Sequence, residues 1–392
     1  MSAKQEPIDE RSQYIRTRLE KALTEINEKL EHEALIARVE RHQGRPIPKS
    51  EIPRDADERF IIPFLQEERD LSGVNLSQMN LSKVSFEGCL LKGANFEGSD
   101  VSGANFKGAV LCDANLKCNL EGVLFDGADL SRADCTNAIA DWVNFTQAKL
   151  DGIKLQGARL RSSCMQRVKL EKSDLTGVDL EEANLEGAEL RGVILREAIL
   201  TGANFSMANL TDADFGDSKA ETRSNSKLTF KEAELARATF VGADLGRPNF
   251  DGAYMVEADL SGLELPGSSF KGANCKGAKF KEADISSSIF SGANLEEANF
   301  QEANLALSDL NGAVLHRANL QRASLFAAQL KGASLLEADI HGSNTDRVET
   351  DDKTVLDPGV SLAMPQKTRA FRLYFLKGDE EVKVGPIPDR QK

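Results

Sequence analysis

GANLEEANFQEANL, residues 292–305, sets an apolar residue at Leu295, Phe300 and Leu305, with an alanine two positions before each. GANFSMANLTDADF, residues 202–215, repeats the arrangement. A helix wants apolar residues 3.6 apart and a strand 2 apart, so a period of five fits neither. Followed outward, the apolar centres recur at every fifth position from Leu71 to Leu116, from Leu120 to Phe215 and from Phe230 to Ile340. All 53 centres are apolar, and 32 have alanine at the second preceding position. With the centre called i, a chain that turns a corner after each unit closes a square coil in about twenty residues, the scale of a solenoid repeat. Positions i and i−2 then face the axis. Four large centres already fill a coil, so a second large residue at i−2 would overpack it. Position i−1 faces out and is often Asp or Asn, and glycine at i+2 suits a corner. Residues one coil apart should stack, which makes Phe230, Phe250, Phe270 and Phe290 a core ladder.

These units resemble the A(D/N)LXX motif of the pentapeptide-repeat proteins, over residues 70–345 or about seven tenths of the chain. The resemblance implies an all-β fold, a right-handed quadrilateral β-helix, here with an N-terminal α-helical extension and a short C-terminal tail.

Two irregularities disturb the register. The step from Leu116 to Leu120 is four, so one residue is missing. Between Phe215 and Phe230 lies GDSKAETRSNSKLT, where Ala220 and Asn225 are poor centres and Arg223 falls at an inward position that would be costly unpaired. The expectation is an interruption near 216–229, with 216–227 projecting and Asp217, Lys219, Glu221 and Arg223 forming a partner-binding loop. Trp142, the one tryptophan, sits at i+2 of the weak Ala140 unit. Its two readings are an anomaly packed inward by a bulge, and a surface anchor of the kind that dominates binding hot spots.

Outside the repeats, residues 1–45 hold an amphipathic helix: Ile15, Leu19, Ala22, Leu23, Ile26, Leu30 and Ala34 recur at three and four. A Pro-rich linker and an apolar cluster, Phe60 to Leu65, fill 46–69; that cluster is expected to cap the first coil and leave the helix dispensable to it. In 346–392, AFRLYFLKGDEEVKVGPIP (370–388) reads as a hairpin that caps the last coil or binds a second subunit.

Catalytic motifs fail on inspection. His32-Glu33 opens like HExxH, but position 36 is Ile. Gly267 and Gly272 mimic a phosphate loop, yet Ala273 stands where lysine is required. The six cysteines show no CxxC spacing and read mostly as small buried hydrophobes. No cofactor or metal is expected, and no enzymatic activity.

Net charge is −13, and residues 70–345 hold 27 basic and 38 acidic residues. That balance argues against direct nucleic-acid binding, which needs a basic face. No stretch approaches a membrane span, and an intracellular, cytoplasmic protein is expected. The leading expectation is a noncatalytic scaffold for protein partners, with a homodimer through a terminal segment as one arrangement. The alternative implied by the resemblance is an acidic DNA mimic that modulates a type II topoisomerase such as DNA gyrase. A contiguous acidic stripe would favour the mimic, and mixed charges the scaffold.

Overall fold

The structure is a computed structural model and describes residues 8–43, 59–62, 65–66, 68–221, 227–358, 362, 374–377 and 380–383, without side-chain detail at 32–33, at 35–43 and in the last two segments. It comprises helix α1 (Glu10–Gln43), a ladder of single-residue parallel bridges, and two short strands, β1 (Tyr374–Lys377) and β2 (Glu380–Lys383). The chain divides into two compact units, Met1–Lys169 and Leu170–Lys392.

In the first unit the bridges Asn75↔Asn95, Asn80↔Asp100, Ser85↔Asn105 and Leu90↔Val110 mark four walls, after which the cycle repeats. One pentapeptide, Ala94 to Gly98, shows why. Its five backbone N–H groups each have a partner. Ala94 donates to Leu91 O across a turn (3.0 Å), Asn95 to Val74 O in the preceding coil (2.9 Å), and Phe96 and Gly98 to Asn115 O and Lys117 O in the next (2.8 and 3.0 Å). The fifth, Glu97 N–H, points where neither coil reaches, and it donates to Asn95 Oδ1 at 3.0 Å. Position i−1 is rich in Asp and Asn because that side chain supplies the one acceptor the coils lack. The i+2 residue sits in left-handed backbone in nearly every unit, glycine at Gly93 but also 28 non-glycine residues, with Arg247 an exception. The turn from Leu91 to Ala94, with φ +65° at its third residue, has the form of a type II turn.

The deletion is absorbed within one coil. Asp100 pairs with Asn119, nineteen residues on, and Asn119 with Ile139, twenty on. Cys118 takes the inward i−2 place at 7% exposure.

The open edge of the first coil is covered by α1 together with the apolar cluster expected to cap it alone. Arg11 Nη2 and Nη1 donate to Asp70 O (2.7 Å) and Ser72 O (3.1 Å), and Arg16 Nη1 donates to Ser77 O (2.7 Å). Asn75 N–H donates to Ser12 Oγ at 2.8 Å. Ser12, Ile15, Leu19 and Ile26 form one buried stripe on α1. Ile62 and Leu65 of the apolar cluster are buried too, while Phe64 lies outside the described residues. A helix suits this task because its polar side chains can pair with edge groups while its apolar face covers the exposed core.

In the second unit the same lattice recurs, and the phenylalanine ladder is a stack. Phe230–Phe250, Phe250–Phe270 and Phe270–Phe290 centroids are 5.0, 5.0 and 4.6 Å apart with nearly parallel rings. Rings on opposite walls meet edge to face, as Phe270 and Phe280 do at 5.7 Å. Coil pairing continues beyond residue 345, with Gln329↔Glu349 and Ser334↔Val355, although the centres there are Thr345 and Thr350. Further on, β1 pairs antiparallel with β2, Tyr374 opposite Lys383 and Lys377 opposite Glu380. Phe371 and Leu373 lie outside the described residues.

The interruption of the lattice is shorter than expected. Residues 216–220 form a regular wall unit: Lys219 bridges Ile199 and Asp244, Ala220 is buried as the centre, and Ser218 is buried at i−2. Asn204 then pairs with Thr229, 25 residues on, so one pentapeptide and not two departs from the lattice. Ala220 succeeds because the coil tolerates an underfilled centre; Ser218 Oγ, buried with no hydrogen-bond partner, is the local cost.

Candidate interaction surface

The four residues expected in a loop are not brought together in one. Asp217, at φ +56°, is held by Arg196 Nη2 at 2.6 Å, and the same guanidinium reaches Asp214 at 3.4 Å. Lys219 is an outward wall residue, Glu221 N–H donates to Thr201 Oγ1 at 3.0 Å, and Arg223 lies outside the described residues. Asp217, Lys219 and Glu221 are exposed on the wall that leads into the irregular pentapeptide.

Trp142 does not pack inward. It occupies a regular corner with φ +55°, donates its N–H to Arg161 O at 2.9 Å, and is 60% exposed. No bulge is needed because Ala140 remains buried as the centre of its unit. Met207 and Leu307 share this predicament in the second unit, at φ +59° and +62° and 61% and 60% exposed. A non-glycine residue in this backbone region costs roughly 1–2 kcal/mol. Bulky apolar residues there serve neither the corner nor the core. Reasoning from sequence caught Trp142 by its rarity and passed over the other two, although all three stand at i+2, where glycine is the common residue.

Charge on the walls is mixed. In the first unit Arg132 pairs with Asp113 at 2.7 Å, Arg159 with Asp141 at 2.8 Å, and Lys117 and Lys154 both reach Asp134. In the second, Arg237 meets Asp212 and Arg317 meets Glu337 at 2.7 Å, while Lys276, Lys279 and Arg322 meet Glu296, Asp259 and Glu302. Hydrogen bonds from Arg132, Arg237 and Arg317 hold the carboxyls of Asp113, Asp212 and Glu337 below their ordinary values. Asp244, Glu264 and Asp284 follow one another at coil spacing, but the corresponding places before and after are Lys219 and Asn304.

Four of the six thiols are buried and offer little chemistry. Burial pushes Cys89 up to about 11 and Cys118 and Cys275 to about 12, and raises Cys135 as well, so their reactive thiolates are suppressed at neutral pH. Among the described residues no group of His, Cys, Asp or Glu is arranged to hold a metal ion, and no helix is long and apolar enough to cross a membrane.

The pentapeptide-repeat model matches eight times, at residues 70–108, 89–118, 117–141, 141–177, 179–217, 249–286, 288–325 and 308–344, which is more than half of the chain. The chain belongs to the pentapeptide-repeat family, and its coils are those of a right-handed β-helix. Matching stops at 217 and resumes at 249, around the irregular pentapeptide. Among solved structures, HetL, a pentapeptide repeat protein involved in heterocyst differentiation regulation from the cyanobacterium Nostoc sp. strain PCC 7120, is 23% identical; the alignment covers 74% of this chain and 92% of HetL, at a TM-score of 0.19. QnrB1, a plasmid-mediated fluoroquinolone resistance protein, is 17% identical over 50% of this chain and 89% of its own, at 0.32. Rfr23 from the cyanobacterium Cyanothece 51142 is 22% identical over 37% and 91%, at 0.20. At these scores the likeness adds nothing to what the coils themselves show. No curated protein sequence matches.

Proposed function

We propose that this protein is a noncatalytic interaction scaffold whose coils present fixed contact points to protein partners. The observation that carries the reading is the set of bulky apolar corners. Trp142, Met207 and Leu307 stay exposed in backbone that favours glycine, so an external contact accounts for them better than folding does. Trp142 is the strongest anchor, since tryptophan is enriched in hot spots. The wall of Asp217, Lys219 and Glu221, beside the irregular pentapeptide, is proposed as a second reading surface because variable segments on rigid walls carry specificity.

The test replaces all three corners with glycine. The triple variant is expected to fold with an unchanged or higher Tm, while partners captured from lysate by the parent chain are lost. Retention of every partner by the folded variant removes the corners from the proposal.

Mimicry of DNA toward a type II topoisomerase is the weaker reading. Acids across both units alternate with paired bases, and that pattern does not reproduce the unbroken charge of a phosphate backbone. Inhibition of DNA supercoiling by gyrase at stoichiometric protein would put mimicry ahead of the scaffold.

A further inference from the structure

In the interior of a unit, a regular wall meets the coil before it through three hydrogen bonds. Asn95 shows the pattern: its N–H donates to Val74 O, its carbonyl accepts from Leu76 N–H, and Glu97 O accepts from Gln78 N–H. The first coil has no complete coil before it, so these groups must find other partners. On the Leu71 wall Arg11 pairs the two carbonyls, on the Leu76 wall Ser12 and Arg16 pair the N–H and one carbonyl, and beside the Phe86 wall Phe60 accepts from Ser85 N–H and donates to Lys83 O. Each of these walls has at least one group paired, whereas on the Leu81 wall none of the three is paired by a described residue. Asn80 N–H, Asn80 O and Ser82 O have no hydrogen-bond partner among the described residues.

A cavity of about 290 Å³ lies at this wall, between it and α1. Leu23 of α1, Phe60 and Met79 give it an apolar lining, and Glu20 is the only ionisable side chain among the residues that line it. Its size is at the small end of ligand pockets, room for a side chain and a stretch of backbone but not for a large cofactor.

We propose that the Leu81 wall is a docking edge for an extended, five-residue segment of a partner protein that carries a lysine or arginine. The lattice specifies the geometry. The segment runs parallel to the wall, its first residue offers a carbonyl to Asn80 N–H, and its third and fifth offer N–H groups to Asn80 O and Ser82 O. This is strand addition to an exposed edge, with the register set by the coil that is missing. A basic third residue matches the cavity because its methylene stem lies on Leu23, Phe60 and Met79 while its cation meets Glu20. An acidic residue there would face Glu20 and bare carbonyl oxygens. The site deepens the scaffold reading by naming a ligand class, but it is separate from the three apolar corners.

The test selects a random heptapeptide display library on the full chain. Enrichment of sequences with a central Lys or Arg is expected. A synthetic peptide of the enriched sequence should bind at least about fivefold more weakly to Glu20→Gln, the range of a partly exposed ion pair. N-methylation of its basic residue should cost about tenfold by deleting one backbone bond. Asn80→Pro, which removes an N–H that no described residue accepts, is a second variant; equal melting temperatures show that all chains compared are folded. No enrichment, or peptides that bind the parent, Glu20→Gln and Asn80→Pro chains equally, overturns the proposal. So does binding that appears only after residues 44–58 are replaced by a Gly/Ser linker, because the chain's own linker then fills the edge. Partner capture that persists in any of these cases leaves the scaffold reading standing.

Discussion

Ser12→Ala tests whether α1 is the structural lid of the first coil. Ser12 is fully buried, takes the Asn75 N–H at 2.8 Å, and is itself held by Asp9, whose Oδ1 accepts the Ser12 N–H at 2.9 Å as a helix N-cap. Alanine keeps the helix and its apolar face but leaves the Asn75 N–H facing a methyl group. A buried donor deprived of its acceptor costs about 1–3 kcal/mol. At about 1.4 kcal/mol per factor of ten, the Asn75 amide should exchange with solvent roughly 5- to 150-fold faster by native-state hydrogen exchange. The Asn80 amide, which has no acceptor among the described residues, is the internal control and should keep its rate. Amides beyond Leu170 report on the second unit and should also be unaffected if stability in a solenoid is local. Unchanged exchange at Asn75, with folding intact, would refute the idea that α1 completes the coil edge.

Phe270→Ala should destabilise by about 3–5 kcal/mol, since the ring stacks on both Phe250 and Phe290; urea denaturation measures it, and a loss under about 1 kcal/mol contradicts the ladder. Asn299→Ala, which frees the Gln301 N–H held at 3.0 Å, should cost about 0.5–1.5 kcal/mol, whereas Asn299→Asp keeps the acceptor and should be near neutral. Deleting residues 222–226 restores a twenty-residue coil, so Tm should stay within a few degrees; unfolding would make those residues part of the wall. Asp9, Asp113 and Asp212 have carboxyls lowered by hydrogen bonds from Ser12, Arg132 and Arg237. Folded values below unfolded ones give stability that is present above the ordinary 3.8 and lost as pH falls through the lowered folded values. Melting followed from pH 7 to pH 2 should therefore drop below about pH 4, and less steeply in the Asp113→Asn, Asp212→Asn double variant.

The interior was legible because it is a steric code. A residue at i meets its counterparts on the other walls and in the next coil, so Leu, Phe or Ile is demanded there and Ala at i−2, and the choice repeats until it stands out from any background. Stacking of Phe230, Phe250, Phe270 and Phe290 needed nothing beyond counting by twenties. The Asp and Asn at i−1 were visible as a pattern but not as a cause. Their role depends on where one N–H points, and that is a matter of backbone direction rather than composition. Ala220 misled for a related reason: judged alone it is a poor centre, yet Lys219 has partners in both adjacent coils, and the pairing of a whole wall outweighs one underfilled position.

The edge of the first coil was legible only in part, since nothing in the spacing of Arg11, Ser12 and Arg16 says that each will meet a particular carbonyl or amide more than fifty residues away. Long-range pairing of a helix with a coil edge leaves no period. The fold nevertheless constrains it strongly: a parallel ladder has a fixed set of donors and acceptors at its open end, and each must be paired or hydrated. Arg11 and Arg16 pair three of those acceptors, Ser12 a donor, and Phe60 one of each kind. The wall at Asn80 is the one of the four with none of its edge groups paired among the described residues, and it lies beside a cavity with one carboxylate. A function can therefore reside in what a cap leaves unpaired. If peptide selection fails there and the triple-corner variant still loses its partners, recognition belongs to the outer corners and the Asn80 edge is merely hydrated.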